Sequence, residues 1–223
     1  MNSPSLEPDL QFESTLLARD VNYLACLDEV GRGALAGPVA LGAVLISRDV
    51  GQIPAGLRDS KLLTAKSRND LLPKIQSWVL CQAVGFASAA EIDDLGIIGA
   101  MRVAGVRALE QLCALPDLIL LDGNHDYLSS GGVKREATLF DVPDTKGMPA
   151  VVTKIKADMT CAGVAAASVV AKCARDALMI ELASKLPGYS FEKNKGYSSP
   201  DHIQGLRAHG LSEVHRHSWK MPV

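Results

Sequence analysis

Short apolar runs that stop abruptly at charged or turn residues constrain this chain more than any other feature. Residues 23–27 (YLACL) and 39–46 (VALGAVLI) are apolar, and the second is rich in β-branched side chains, so both read as buried strands. Residues 78–87, 118–121 (LILL) and 150–155 (AVVTKI) read the same way. Helical patterns fill the gaps. Thr64 can cap a helix over 65–77, with a kink at Pro73, and 95–115 keeps helical spacing as far as Pro116. The Ala-rich stretch 160–186 reads as one long helix ended by Pro187-Gly188. Three strands, helices, two further strands and a long helix specify an α/β domain built on a mixed sheet. The polar tail from Tyr189 onward carries one more helix after Pro200.

Three of these elements begin or end in carboxylates. Asp28-Glu29 closes the first strand directly before Gly31-Arg32-Gly33, Asp122 closes the LILL run, and Asp158 opens the Ala-rich helix. In open α/β sheets, ligand sites form at the ends of neighbouring strands. Four oxygen-bearing side chains with no His or Cys suit Mg²⁺ or Mn²⁺ better than Zn²⁺. Two such ions about 3.5–4 Å apart serve in-line displacement at a phosphodiester. A plainer reading stands beside this: Asp122 alone suits a solvated turn, and Asp158 alone suits a helix N-terminus. Neighbours on a strand face opposite ways, so Asp28 and Glu29 can share a site only if the chain is leaving the strand there, which Gly31 and Gly33 permit. The Gly31–Gly33–Gly37 spacing is one residue too long for a dinucleotide fingerprint and precedes a strand, which argues against a nicotinamide enzyme. Two glycines around Arg32 instead let backbone amides approach a sugar or phosphate while the guanidinium binds a phosphate.

Composition removes several classes. The longest stretch without a charge, 75–90, contains Gln76, Ser77, Gln82 and Ser88, too polar for a membrane span. The first 20 residues carry Glu7, Asp9, Glu13 and Asp20 against Arg19, the reverse of a secretory leader. The five cysteines (Cys26, Cys81, Cys113, Cys161, Cys173) are widely spaced among apolar neighbours and are expected as reduced core thiols in a cytoplasmic protein. The net charge of −2 conceals an uneven distribution. Residues 1–29 hold one Arg against six acids, whereas 185–223 hold six Lys or Arg against three acids. Near-neutrality therefore does not count against a nucleic-acid ligand.

Several motifs, in this order, closely resemble the ribonuclease HII family. They are Leu27-Asp28-Glu29-Val30-Gly31-Arg32-Gly33 with Ala36-Gly37-Pro38, then Leu57-Arg58-Asp59-Ser60-Lys61, then Leu121-Asp122-Gly123. Lys156-Ala157-Asp158 follows with 165–172 (AAASVVAK), then Asn194-Lys195-Gly196-Tyr197 and 215–219 (HRHSW). The resemblance implies a ribonuclease H-like mixed five-stranded sheet flanked by helices, with a helical C-terminal extension. It implies an acidic N-terminal segment (1–20) that could be flexible, a catalytic domain (21–186) and an extension (187–223) that holds the duplex. It implies cleavage of the RNA strand of RNA/DNA hybrids and incision 5′ of single ribonucleotides in duplex DNA, in DNA replication and repair, by a monomer. Asp28, Glu29, Asp122 and Asp158 would be the catalytic and metal ligands, holding two Mn²⁺ or Mg²⁺ ions. Gly31, Arg32 and Gly33 would read the ribose 2′-hydroxyl, Tyr197 would pack on the following deoxyribose, and Ser60 and Lys61 would meet backbone phosphates. Arg32, and only about 20 residues before the first strand, favour type 2 over the related type 3 enzymes. Ala157 and Met159 flank Asp158 where many relatives have Gly and Ser, but the carboxylate is kept.

The remaining candidates read as structural. Four histidines (His202, His209, His215, His217) fall in the last 22 residues without zinc-ligand spacing and are expected at the surface or facing phosphate. Asp126 reads as a solvated loop acid, and Asp176 and Glu181 as partners in intrahelical charge pairs. A Mg²⁺-dependent phosphatase for small esters and a non-catalytic hybrid-binding module are the alternatives to a nuclease.

Overall fold

A computed structural model describes residues 7–18, 20–129 and 147–222. Arg19 of the acidic segment and most of the connection between the fourth and fifth strands lie outside the described residues. The strands are β1 (Tyr23–Val30), β2 (Val39–Ser47), β3 (Cys81–Ala87), β4 (Leu118–Asp122) and β5 (Ala150–Lys154). They form one sheet in the order β3-β2-β1-β4-β5. β1 is antiparallel to β2 and β2 to β3, whereas β4 is parallel to both β1 and β5. The expected mixed five-stranded, ribonuclease H-like sheet is the one observed.

Period-two alternation divides the strand side chains between two cores. Leu24, Cys26, Val44, Ile46 and Leu120 face one side, under α2 (Ala65–Trp78) and α5 (Ala162–Lys185). Ala25, Leu27, Leu41, Ala43, Leu45, Ile119 and Leu121 face the other, under α3 (Ala89–Glu110). Helices α5 and α3 both lie close against the sheet. A Cβ at Gly42 would stand 2.3 Å from the Ala167 carbonyl oxygen, and one at Gly85 would stand 1.9 Å from that of Ala104. Glycine below and alanine above let backbone approach backbone, which explains the Ala-rich composition of α5.

Helix boundaries depart from expectation in three places. α2 runs on to Trp78, so β3 starts at Cys81 and not at 78. α3 begins at Ala89, where Ser88 and Glu91 form a reciprocal capping box, and is interrupted at Gly96 (φ 69, ψ 165). The Ala-rich helix is two helices, α4 (Ala157–Thr160) and α5, separated by extended Cys161 (φ −112, ψ 119). The N-terminal segment imposes this break. Asp9 donates its N–H to the Thr160 carbonyl (3.1 Å) and accepts from the Ala162 N–H (2.8 Å). α1 (Gln11–Leu16) then buries Glu13, whose Oε1 accepts the Gly163 N–H (2.8 Å) at the start of α5. The described part of the acidic segment is therefore docked on the domain.

Beyond α5, the helices α6 (Phe191–Asn194) and α7 (Pro200–His209) form the extension. Leu35, Ala36, Met179, Tyr189, Phe191 and Leu206 make a third core that fixes it to the end of α5. One cysteine expectation is corrected. Cys81, at the start of edge strand β3, is disulfide-bonded to Cys113, just past α3, while Cys26, Cys161 and Cys173 are free thiols. The residues are 32 apart in sequence, but the β3–α3 hairpin returns the chain until their Cα atoms are 6.1 Å apart.

Candidate active site

The β1–β4 ladder ends at the pair Leu27↔Leu121, while β1 stays paired with β2 as far as Val30. Asp28 and Asp122 therefore lie opposite each other one step beyond the last β1–β4 pair, on the face that carries Cys26 and Leu120. Glu29 starts from the other face. With no ladder left on that side, its longer side chain reaches the same point. Carboxylate oxygens of Asp28, Glu29 and Asp122 all come within 4.8 Å of one another. The expectation that β1 must end for this to happen is refined: it leaves one neighbour and keeps the other.

Crowding acids in a buried place disfavours their ionised forms. Asp28 is 3% exposed, and burial holds its carboxyl well above the usual range, with the charges of Glu29 and Asp122 adding to the effect. Glu29 is raised by burial and then by Asp122, against the pull of Arg32. Asp122 is raised by burial and by Asp158, against the Ala157 N–H, which donates to its Oδ1 at 2.7 Å. Asp158, at the start of α4, stands apart from this trio. Its Oδ2 accepts a hydrogen bond from Lys61 Nζ at 3.0 Å. Partial desolvation would lower Lys61, but the bond to Asp158 and the charge of Asp28 outweigh it and raise the ammonium's pKa. Ser60 is buried, with its N–H on Ser168 Oγ (3.1 Å) and its carbonyl held by Arg68 (3.1 Å), so it anchors the turn that presents Lys61.

The glycine loop borders the carboxylates. Gly31 has φ +83, and a Cβ there would meet Arg175 Nε at 2.1 Å, so only glycine fits. Its N–H donates to the Tyr197 hydroxyl at 3.1 Å, which joins the loop to the C-terminal extension. At Gly33 a Cβ would meet nothing within 4 Å, so no contact among the described residues requires glycine there. Arg32 is exposed, with Nη1 3.8 Å from Glu29.

Sequence reasoning missed several residues beside this site. Arg175 and Arg216 are fully buried and hold the glycine loop through its carbonyl oxygens. Burial, helped by the nearby Arg175 charge, lowers Arg216 to about 9, so it remains a cation at neutral pH. His202 and His215, expected at the surface, are fully buried against Tyr189 and Phe191. Ser212 N–H donates to His215 Nδ1 (2.9 Å), leaving its Nε2–H to donate to His202 Nε2 (3.0 Å) and His202 Nδ1–H to the Tyr197 carbonyl (2.9 Å). Tyr127 is buried with no hydrogen-bond partner for its hydroxyl among the described residues. Burial opposes its ionisation most, followed by the charges of Glu29, Asp28 and Asp122. Asp126 is not free in a loop: it accepts from Leu128 N–H (2.9 Å) and Ser129 N–H (3.0 Å) and pins that turn. Asp176 pairs with Lys172 (2.6 Å) as expected and also with Arg68 (3.2 Å), and Glu181 pairs with Lys185 (2.5 Å).

A sheet of this order, with acids at the ends of two adjacent parallel strands and an acid-bearing helix alongside, defines a ribonuclease H-like hydrolase. Known proteins narrow this further. The family model described as Ribonuclease HII matches residues 25–222. A Ribonuclease HII of Streptomyces avermitilis is 44% identical over 88% of this chain and 76% of its own length. One from Streptomyces griseus subsp. griseus is 43% identical over 97% of this chain and 84% of its own length. The crystal structure of ribonuclease H2 from Pyrococcus horikoshii OT3 superposes with a TM-score of 0.65 at 26% identity, covering 89% of this chain and 94% of that one. The chain belongs to the ribonuclease HII family and is a ribonuclease H enzyme.

Proposed function

We propose that this enzyme hydrolyses the RNA strand of RNA/DNA hybrids and incises 5′ of single ribonucleotides embedded in duplex DNA, leaving 3′-hydroxyl and 5′-phosphate ends. The observation that carries this reading is the Gly31 N–H···Tyr197 hydroxyl bond. It couples the loop suited to a ribose to an aromatic ring suited to the next sugar, two residues along the chain from Glu29. Gly33 supports it, because a glycine with open space around it admits close approach by something outside the chain.

The carboxylates fit a hard divalent cation. Three acids within 4.8 Å, all with raised pKa values, form an oxygen-only donor set that lacks enough positive charge, and the Tyr127 hydroxyl beside them has no partner within the described residues. Asp28, Glu29 and Asp122, with Asp158 alongside, would hold Mn²⁺ or Mg²⁺, two at turnover. Bound there, such ions supply charge neutralisation for the phosphate and a lowered pKa for water. The chain's own residues do the rest. Arg32 and Lys61 meet the phosphates as cations, and the Ser60 turn sets the position of Lys61. Gly31 and Gly33 let the loop approach the 2′-hydroxyl, and Tyr197 packs on the sugar that follows. The basic tail, 185–223, extends the contact along the duplex. In this reading the enzyme works as a monomer in the cytoplasm, removing ribonucleotides during replication and repair.

An end-labelled RNA/DNA hybrid incubated with Mn²⁺, Mg²⁺ or EDTA tests the reading. Metal-dependent cleavage of the RNA strand supports it. Retention of the hybrid without cleavage, or hydrolysis of small phosphate esters alone, refutes it.

A further inference from the structure

Arg216 belongs to the tail, 185 residues from Gly31, yet its guanidinium is fully buried beneath the glycine loop. It has no carboxylate partner among the described residues. Its Nη2 donates to the Gly31 carbonyl (2.6 Å) and the Gly37 carbonyl (3.2 Å), and its Nη1 to the Arg32 carbonyl (2.7 Å). Its face packs on the Trp219 ring, 4.7 Å away. Burying a cation against neutral carbonyls is costly, so the arrangement asks for a reason beyond packing.

Peptide geometry supplies one. In a trans peptide the N–H points opposite to the C=O of the preceding residue. With the Gly31 and Arg32 carbonyls drawn inward to the guanidinium, the N–H groups of Arg32 and Gly33 are turned outward, on the exposed side of the loop. Neither N–H has an acceptor among the described residues. We propose that Arg216 is the positioning residue of the glycine loop, orienting the Arg32 and Gly33 amides as hydrogen-bond donors to the ribose 2′-hydroxyl of the substrate. The proposal rests on the ribonucleotide-incising function stated above. Arg175 braces the flank of the loop by donating to the carbonyls of Ala36 (3.1 Å) and Pro38 (2.8 Å), and ties it to the extension through the Lys195 carbonyl (2.9 Å).

The test is discrimination, which a merely structural role would not change. Binding of the full chain to a duplex with one ribonucleotide, and to the same duplex made only of DNA, is measured by fluorescence anisotropy with Ca²⁺ in place of the catalytic ion. The wild type prefers the ribonucleotide duplex. Arg216→Lys keeps the charge but loses the fork of donors, so the preference falls by about tenfold, as for two misdirected hydrogen bonds, while affinity for the DNA duplex holds. Arg216→Ala loses it equally, and millimolar guanidinium restores it. Folded Arg216 variants with the wild-type preference overturn the proposal and leave the functional reading intact. A wild type indifferent to the ribonucleotide overturns the functional reading and the proposal with it. A second measurement needs no variant: the Arg32 and Gly33 amide NMR signals shift on adding the ribonucleotide duplex and much less with the DNA duplex. Equal shifts in both overturn the proposal.

Discussion

Replacing Asp28 by Asn removes one negative charge from the carboxylate cluster with almost no change of shape, and the metal-free enzyme should gain stability as it loses activity. Oxygens of Asp28, Glu29 and Asp122 lie within 4.8 Å of one another. At that separation, two unit charges in an effective dielectric of about 20 repel by roughly 3.5 kcal/mol. Partial protonation, and solvent at the half-buried Glu29 and Asp122, reduce the net relief to about 1–2 kcal/mol. For a domain of this size that is a rise of about 2–8 °C in Tm. The pH dependence has a definite sign. Asp28's folded pKa is raised, so between the unfolded and folded values the native state binds more protons than the unfolded chain. The metal-free wild type therefore loses stability as pH rises through that window, and Asp28→Asn loses less. Calorimetric melts in EDTA and in rising Mn²⁺ measure both effects. The wild type should start lower and gain more from Mn²⁺, because the ion neutralises the repulsion that the variant no longer has. A variant that melts below the wild type in EDTA, or that responds to Mn²⁺ equally, would refute the reasoning.

Three further outcomes follow from the geometry. Lys61→Ala should weaken duplex binding severalfold and reduce the slope of log Kd against log salt by about one, and an unchanged slope would remove Lys61 from the phosphate contacts. Tyr197→Phe deletes the acceptor of the Gly31 N–H, so single-ribonucleotide incision should fall about five- to tenfold with the melting temperature nearly unchanged; equal rates would count against that bond as the link between loop and extension. His215 is lowered to about 4 by burial and then by His202, so below about pH 6.5 the unfolded chain takes up a proton that the native state refuses. Stability should fall between pH 6.5 and 4 by up to about 3 kcal/mol, and His215→Asn should flatten that acid limb; an identical limb in the variant would show that the buried pair does not titrate in this way.

The sheet and the acids were legible in the sequence because each reflects local pattern. Apolar runs of strand length read as strands from their own residues, and Asp28, Glu29 and Asp122 follow directly on two of them, residues 23–27 and 118–121. What escaped was determined by distant partners. Nothing within 157–186 marks a break at Cys161, because Asp9 imposes it from about 150 residues away. His202 and His215 sit in a polar tail and look exposed; their mutual bond, those to Ser212 and the Tyr197 carbonyl, and the packing of Tyr189 and Phe191 round them account for their burial. Arg175 stands beside Asp176 and reads as half of a helix-surface charge pair, yet it turns inward to the glycine loop. The Cys81–Cys113 bridge depends on how β3 and α3 return the chain, which spacing alone does not reveal.

The most direct test of the account is to map the incision itself. A duplex DNA carrying one ribonucleotide, labelled at the 5′ end of that strand, is incubated with the wild-type chain and Mn²⁺ or Mg²⁺. The account predicts a single metal-dependent product cut on the 5′ side of the ribonucleotide and ending in a 3′-hydroxyl, none in EDTA and almost none with Asp28→Asn. No incision at the ribonucleotide, or incision that persists in EDTA or in the Asp28→Asn variant, would contradict it.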